Sequence, residues 1–149
     1  MVDTGALFLG EFQHTLDPKG RVILPSAFRD ALSEGLVMTV GLDNCLTVHP
    51  LADWRRLIAD LRSLRTTDAR ERKFARMIRS QAHPDTLDRQ GRVTIPARLR
   101  GYARLDKDVT VVGADARLEI WDTARWEADR DEGMEEFAGT EHAFDMGEL

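Results

Sequence analysis

The sequence predicts an α+β fold: two tandem β motifs sharing one small β-barrel core about a pseudo-twofold axis, each followed by an amphipathic helix or helices. Three observations predict it. First, the stretch Leu16-Asp17-Pro18-Lys19-Gly20-Arg21-Val22-Ile23-Leu24-Pro25 returns as Leu87-Asp88-Arg89-Gln90-Gly91-Arg92-Val93-Thr94-Ile95-Pro96, with Leu, Asp, Gly, Arg, Val and Pro at one constant offset of 71 residues. Second, the echo continues: Arg29 meets Arg100. After a shift of one residue, Gly41 meets Gly113, Asp43 meets Asp115, Leu46 meets Leu118, Ala52 meets Ala124 and Trp54 meets Trp126. Third, the apolar period changes from strand-like to helical after each β part. A β part of about 45 residues is marginal as an independent core, so the two halves are expected to share one.

Taken in order, residues 1–6 read as a loose leader. Leu7 to Leu16 has strand-type content, with Leu7, Phe8, Leu9, Phe12, Thr15 and Leu16. Asp17-Pro18-Lys19-Gly20 reads as a type I turn. The Asp carboxylate accepts turn N–H groups, Pro presets φ, and Gly tolerates positive φ. Arg21–Leu24 returns as a strand, and its three consecutive apolar residues suggest burial on both faces. Ser26 is a candidate N-cap for a short helix over Ala27–Leu32. Leu36–Gly41 and Cys45–His49 form a second hairpin around Leu42-Asp43-Asn44.

From Leu51 the pattern turns helical: Trp54, Leu57, Ile58, Leu61 and Leu64 form one stripe. Arg65-Thr66-Thr67-Asp68 breaks the helix, and Thr67 or Asp68 caps the next one. That helix runs to about Ser80 with Phe74, Ala75, Met77 and Ile78 inward, and His83-Pro84 ends it. The template then repeats: Thr86–Leu87, turn Asp88–Gly91, strand Arg92–Ile95, a short helix from Ala97, strands Val109–Gly113 and Arg117–Trp121, and a helix over Thr123–Glu136. The division is therefore a leader (1–6), a first repeat with a helical insertion (7–82), a second repeat with a C-terminal helix (83–136) and an acidic tail expected to be disordered (137–149).

Composition narrows the function. With 149 residues, 42% hydrophobic and 32% charged, the chain reads as soluble and globular. No apolar run approaches the roughly 20 residues of a membrane helix, and with no basic patch leading into an apolar stretch near Met1 a secretory signal is not expected. Cys45 is the single cysteine, which excludes an internal disulfide framework and fits a reducing cytoplasm. The net charge of −5, taken over the whole chain, argues against nucleic acid. Seven of the acids, however, lie between Asp131 and Leu149, where there is no Lys or Arg; the rest of the chain has 19 acidic against 21 basic residues.

Nothing points to an enzyme, a metal, a cofactor or a small-molecule substrate. His14, His49, His83 and His142 lack ligand spacing, and no Ser sits in a nucleophile elbow. What remains is the cation after each turn. Turn chemistry explains Asp17, Gly20, Asp88 and Gly91. It does not explain why Arg21 and Arg92 follow. One reading pairs each Arg with its turn Asp, an exposed pair that contributes little to stability. The other makes Arg21 and Arg92 contacts to phosphates or base edges, with the Asp orienting each guanidinium. Lys19 adds a cation to the first turn and Arg89 to the second. Two such hairpins related by a twofold would present a two-stranded ribbon to a major groove. Between Asp53 and Arg79 nine basic residues stand against four acids, mostly off the apolar stripe. They read as a solvated face or as subunit packing. Trp54, Leu57, Leu61 and Trp126 are the candidate anchors for an oligomer interface.

The opening Phe8-Leu9-Gly10-Glu11-Phe12-Gln13-His14-Thr15-Leu16-Asp17-Pro18-Lys19-Gly20-Arg21, the second Leu87-Asp88-Arg89-Gln90-Gly91-Arg92 and the late Leu118-Glu119-Ile120-Trp121 resemble the MraZ family of bacterial transcriptional regulators. The resemblance runs from about Leu7 to Glu136. It implies a tandem pair of AbrB-type swapped-hairpin motifs with helices added after each. It also implies assembly into a homo-oligomeric ring and binding to direct repeats in double-stranded promoter DNA of the division and cell-wall gene cluster. Such binding is generally repressive, in a cytoplasmic, nucleoid-associated protein. Asp17, Arg21, Asp88 and Arg92 match the two motif pairs, and Arg21 with Lys19 is the first choice for DNA contact. The acidic tail lies outside the motif core. The competing expectation is a ring-forming protein-interaction module with no direct DNA readout.

Overall fold

The computed structural model describes residues 7–141. The expected leader, and all but the first residues of the expected tail, lie outside them. The chain is a mixed α+β fold of eight strands and five helices among the described residues. The first repeat contributes β1 (Glu11–Thr15), β2 (Arg21–Ile23), α1 (Ser26–Arg29), β3 (Leu36–Val40), β4 (Leu46–Pro50), α2 (Leu51–Arg62) and α3 (Ala69–Ser80). The second contributes β5 (His83–Asp85), β6 (Arg92–Thr94), α4 (Ala97–Tyr102), β7 (Asp108–Ala114), β8 (Arg117–Asp122) and α5 (Thr123–Ala138).

Six strands form one sheet in the order β1-β7-β8-β4-β3-β5, and β2 and β6 form a separate two-stranded ribbon. Every pairing is antiparallel. The first strand of each repeat is exchanged: β1 pairs with β7 of the second half, and β5 with β3 of the first. The pseudo-twofold is visible in the register. Val22 faces Val93, and Arg21↔Thr94 maps onto Ile23↔Arg92. Thr47 faces Glu119, and Leu46↔Ile120 maps onto Val48↔Leu118. The ribbon is extended by two crossed backbone bonds: Leu24 N–H donates to Gly91 O at 2.9 Å, and Ile95 N–H donates to Gly20 O at 2.8 Å.

One core fills the space between. Its residues come in repeat-related pairs, including Val22 and Val93, Leu24 and Ile95, Phe28 and Leu99, Leu46 and Leu118, and Val48 and Ile120. Phe28 receives the edges of Phe8 and Phe12, with ring centroids 5.1 and 5.2 Å away. Neither half could bury these residues without the other, so the β parts form one unit.

Local chemistry departs from the sequence expectation at several points. Ile23 is 42% exposed although Val22 and Leu24 are buried. The ribbon is covered on one face only, so the apolar run does not mean burial on both. Ser26 begins α1 but caps nothing; Pro25 occupies the N-cap position without a side-chain bond. Asp68 is the cap of α3, accepting from Arg70 N–H at 2.9 Å and Glu71 N–H at 3.1 Å. After α3, His83-Pro84-Asp85 forms the short β5 by pairing with β3, where the sequence suggested only a helix end. On α3, Ala75 is buried as expected, but Phe74 and Met77 stand exposed. α5 continues through Phe137 to Ala138, two residues beyond the expected end.

Candidate nucleic-acid interface

Each turn is built by its aspartate. Asp17 Oδ1 accepts from the backbone N–H of Lys19 and of Arg21, both at 2.9 Å. Asp88 Oδ1 accepts from Gln90 N–H at 2.9 Å and Arg92 N–H at 2.8 Å. The turns close through Gly20 N–H to Asp17 O and Gly91 N–H to Asp88 O, both at 2.9 Å. Gly20 and Gly91 both sit at φ +77°, where a side chain is strained.

The second oxygen of each carboxylate holds an arginine. Arg21 Nε donates to Asp17 Oδ2 at 2.6 Å, and Arg92 Nε donates to Asp88 Oδ2 at 2.7 Å. The backbone N–H of Arg21, followed by the Arg21 side chain and the Lys19 N–H, holds the Asp17 carboxyl below the usual carboxylate range. The backbone N–H of Arg92, its side chain and the Gln90 N–H do the same for Asp88. Both carboxylates are therefore ionised at neutral pH and can act as fixed acceptors. Using Nε for the internal bond leaves Nη1 and Nη2 of both guanidiniums without a hydrogen bond among the described residues. Those nitrogens form the end of the planar fork that binds phosphate or guanine bidentately.

The ribbon places these groups together. Alternation puts Arg21, Ile23, Arg92 and Thr94 on its outer face and Val22 and Val93 on its inner face. Arg21 and Arg92 are diagonal neighbours, roughly 7–8 Å apart at the backbone. Lys19 and Arg89 are exposed at the turn tips. The two turns differ in one respect: Pro18-Lys19 in the first is Arg89-Gln90 in the second, so the added cation sits at different turn positions.

A second pair of arginines supports the turns crosswise. Arg100 Nη1 donates to the carbonyl of Ile95, and its guanidinium lies against Gly20 of the other repeat. Arg29 Nε donates to Leu24 O at 3.2 Å, and its guanidinium lies against Gly91. A methyl group on either glycine would overlap that arginine. The sequence carried a signal for this pair, because Arg29 and Arg100 share the repeat offset. It gave no hint that each serves the opposite turn. Ile23 and Thr94, which complete the outer face, had no signal at all.

The four candidate interface residues pack largely within the chain. Trp54 stacks obliquely on the buried His49 at 5.7 Å, and Leu61 is buried. Trp126 lies 5.4 Å from Trp121 and donates through Nε1 to Glu11 Oε2 at 3.1 Å. Leu57, half-buried, lines a groove with Phe74 and Met77. Leu61 thus anchors the fold, and the large apolar side chains left exposed on the helices are Phe74 and Met77 of α3 and Met134 and Phe137 of α5. Among the described residues no group of three or more His, Cys, Asp or Glu side chains could hold a metal, and no helix is long and apolar enough to cross a membrane.

The family model described as "MraZ protein, putative antitoxin-like" matches the chain twice, over residues 7–77 and 78–146. A curated relative from Moorella thermoacetica is 51% identical over 121 residues, covering 81% of this chain and 85% of its own. One from Pediococcus pentosaceus is 44% identical over 142 residues, covering 95% and 99%. One from Salinispora arenicola is 44% identical over 135 residues, covering 91% and 95%. All three are named "Transcriptional regulator MraZ", a regulator and not an enzyme.

Proposed function

This chain belongs to the MraZ family, and we propose that it is a sequence-specific DNA-binding regulator. In this reading it represses by binding direct repeats in the promoter of the division and cell-wall gene cluster. The names of its relatives support a regulatory role. The observation that carries the DNA reading is the outer face of the β2–β6 ribbon, where two guanidiniums are held at Nε and open at both Nη atoms. A two-stranded ribbon has the width of a major groove, and Arg is the side chain that reads guanine O6 and N7 or grips a phosphate bidentately. Lys19 adds a phosphate contact beside Arg21, and Arg89 one beside Arg92. The exchanged strands support reading the core as a swapped-hairpin barrel, whose symmetry sets both turns on one surface.

One ribbon covers little DNA. Several copies in a ring would raise affinity by effective concentration when operator repeats match subunit spacing. A regulator of this kind acts in the cytoplasm, on the nucleoid. The test is a mobility shift on the promoter upstream of the protein's own gene at fixed salt, with wild type, Arg21→Ala and Arg92→Ala. Arg21→Ala is expected to weaken binding more, because Lys19 lies beside it. Each lost phosphate contact is expected to reduce the salt slope by about 0.9. Unchanged DNA binding by Arg21→Ala with assembly intact would refute the ribbon as reader.

A further inference from the structure

The outer face of the β2–β6 ribbon carries one side chain unlike the rest. Ile23 is 42% exposed, and among the described residues it is the only large apolar side chain left exposed within a strand. It stands directly opposite Arg92, as Thr94 stands opposite Arg21. Side chains so opposed start roughly 4.5–5.5 Å apart at Cβ. Each arginine is drawn toward its own turn, because its Nε is bonded to Asp17 or Asp88. In an antiparallel pair those turns lie at opposite ends of the ribbon, so the two arginines lean apart. Ile23 and Thr94, the other diagonal, are left at the middle of the face.

The pseudo-twofold carries Arg21 onto Arg92, Asp17 onto Asp88 and Gly20 onto Gly91, each pair identical. It carries Ile23 onto Thr94, and these differ. The turn tips differ too, with Pro18 and Lys19 against Arg89 and Gln90. A cation on a phosphate, however, positions DNA without reading its sequence. On the outer face of the two strands, the halves of the ribbon therefore differ at Ile23 and Thr94 alone. The apolar feature that a base edge offers in the major groove is the C5 methyl group of thymine. An isoleucine has nothing else there to recognise. A threonine carries a hydroxyl beside its methyl group and accommodates donors and acceptors alike.

We propose that Ile23 is a specificity-determining residue: it reads the C5 methyl group of a thymine beside the position that Arg92 contacts. Successive base pairs are about 3.4 Å apart, so the separation of Ile23 from Arg92 suits neighbouring steps. Thr94 leaves the mirrored step beside Arg21 undiscriminated. The ribbon then binds its site in one orientation, although its two arginines alone would accept either. The proposal rests on the reading of the ribbon as the DNA-contacting element, and it states what sequence the ribbon selects.

The test is a mobility shift with the full chain on the promoter upstream of its own gene. Each thymine of the bound site is replaced in turn by deoxyuridine, which removes the C5 methyl group and nothing else. One replacement per site is expected to weaken wild type about 4-fold, the contribution of one buried methyl group. Ile23→Thr makes the two halves of the face alike. It is expected to bind the unmodified site about 4-fold more weakly and to ignore the same replacement. Adding Thr94→Ile to that variant is expected to move the sensitivity to a thymine at the mirrored step. Ile23 is exposed and threonine keeps the β-branch, so thermal melting is expected to be unchanged. Ile23→Val, smaller by one methylene, is a second variant and is expected to fall between. Deoxyuridine that weakens Ile23→Thr as much as wild type would overturn the assignment to Ile23. So would a wild type indifferent to every replacement while Arg21→Ala still loses affinity. Unchanged binding by Arg21→Ala with assembly intact would remove the ribbon reading and this proposal together.

Discussion

Gly20→Ala is expected to destabilise the protein by about 2.5–5 kcal/mol, through two separable effects. The first is backbone strain. At φ +77° an alanine is left-handed, which costs about 1–2 kcal/mol. The second acts across the pseudo-twofold. The new methyl group occupies the place of the Arg100 guanidinium and displaces it from the Ile95 carbonyl. A hydrogen bond from a charged group contributes about 1.5–3 kcal/mol, and a half-buried arginine that can recruit water falls at the low end. The two effects separate in a double-mutant cycle with Arg100→Ala. In that background only the strain remains, so Gly20→Ala should cost about 1–2 kcal/mol and the coupling should be about 1.5–3 kcal/mol. The assay is urea unfolding at one fixed protein concentration, because assembly adds to apparent stability. Additivity within about 0.5 kcal/mol would refute the crosswise support of the first turn by the second repeat.

Other expectations follow from buried groups. Burial, followed by the positive charge of Arg117, lowers the His49 pKa to about 4. Its folded value lies below its unfolded value, so the unfolded chain binds the extra proton first. Stability should fall by up to about 3 kcal/mol as pH drops from about 6.5 to 4 and then level off. His49→Gln should flatten that part of the pH profile, and an unchanged profile would remove His49 as the cause. Burial pushes the Cys45 thiol up to about 12, with the negative charges of Glu119 and Asp43 adding to it. A thiol reagent at pH 8 should leave the native chain unlabelled and titrate one thiol in denaturant; fast native labelling would contradict the burial.

What the sequence made legible was local chemistry. Asp17 and Gly20, like Asp88 and Gly91, specify a turn by side-chain acceptors and positive φ alone, and the structure contains both turns with matching distances. The cap of α3 was readable to within one residue, Thr67 or Asp68, and the structure places it at Asp68. Features set by distant partners were harder to read. Ile23 sits in an apolar run that looks buried, and only the lone β2–β6 ribbon leaves it outside. His83-Pro84-Asp85 has no strand character of its own and is a strand because β3 offers an edge. On α3 the apolar stripe was plain, but periodicity cannot say whether Phe74 and Met77 face their own chain or another. At the candidate site, Arg21 and Arg92 stood out because turn formation did not require them. Their free Nη atoms, and the support from Arg29 and Arg100, emerged only once both repeats were folded together.

The exchange of β1 and β5 has a consequence for synthesis. As the chain leaves the ribosome, β1 emerges early, yet Thr15 must wait for Asp108, 93 positions later. At about 5–20 residues per second that wait is roughly 5–20 s. Throughout it β1 is an unpaired edge carrying Phe12, next to the apolar Phe8, in a cell translating the same message many times over. The same strand of a neighbouring nascent chain could be captured during that interval, which makes the delay a hazard for aggregation. Glu11, Gln13 and Thr15 of β1 alternate with the half-buried Phe12 and His14 and stay exposed in the finished sheet. They keep the waiting strand soluble on one face until its partner is made.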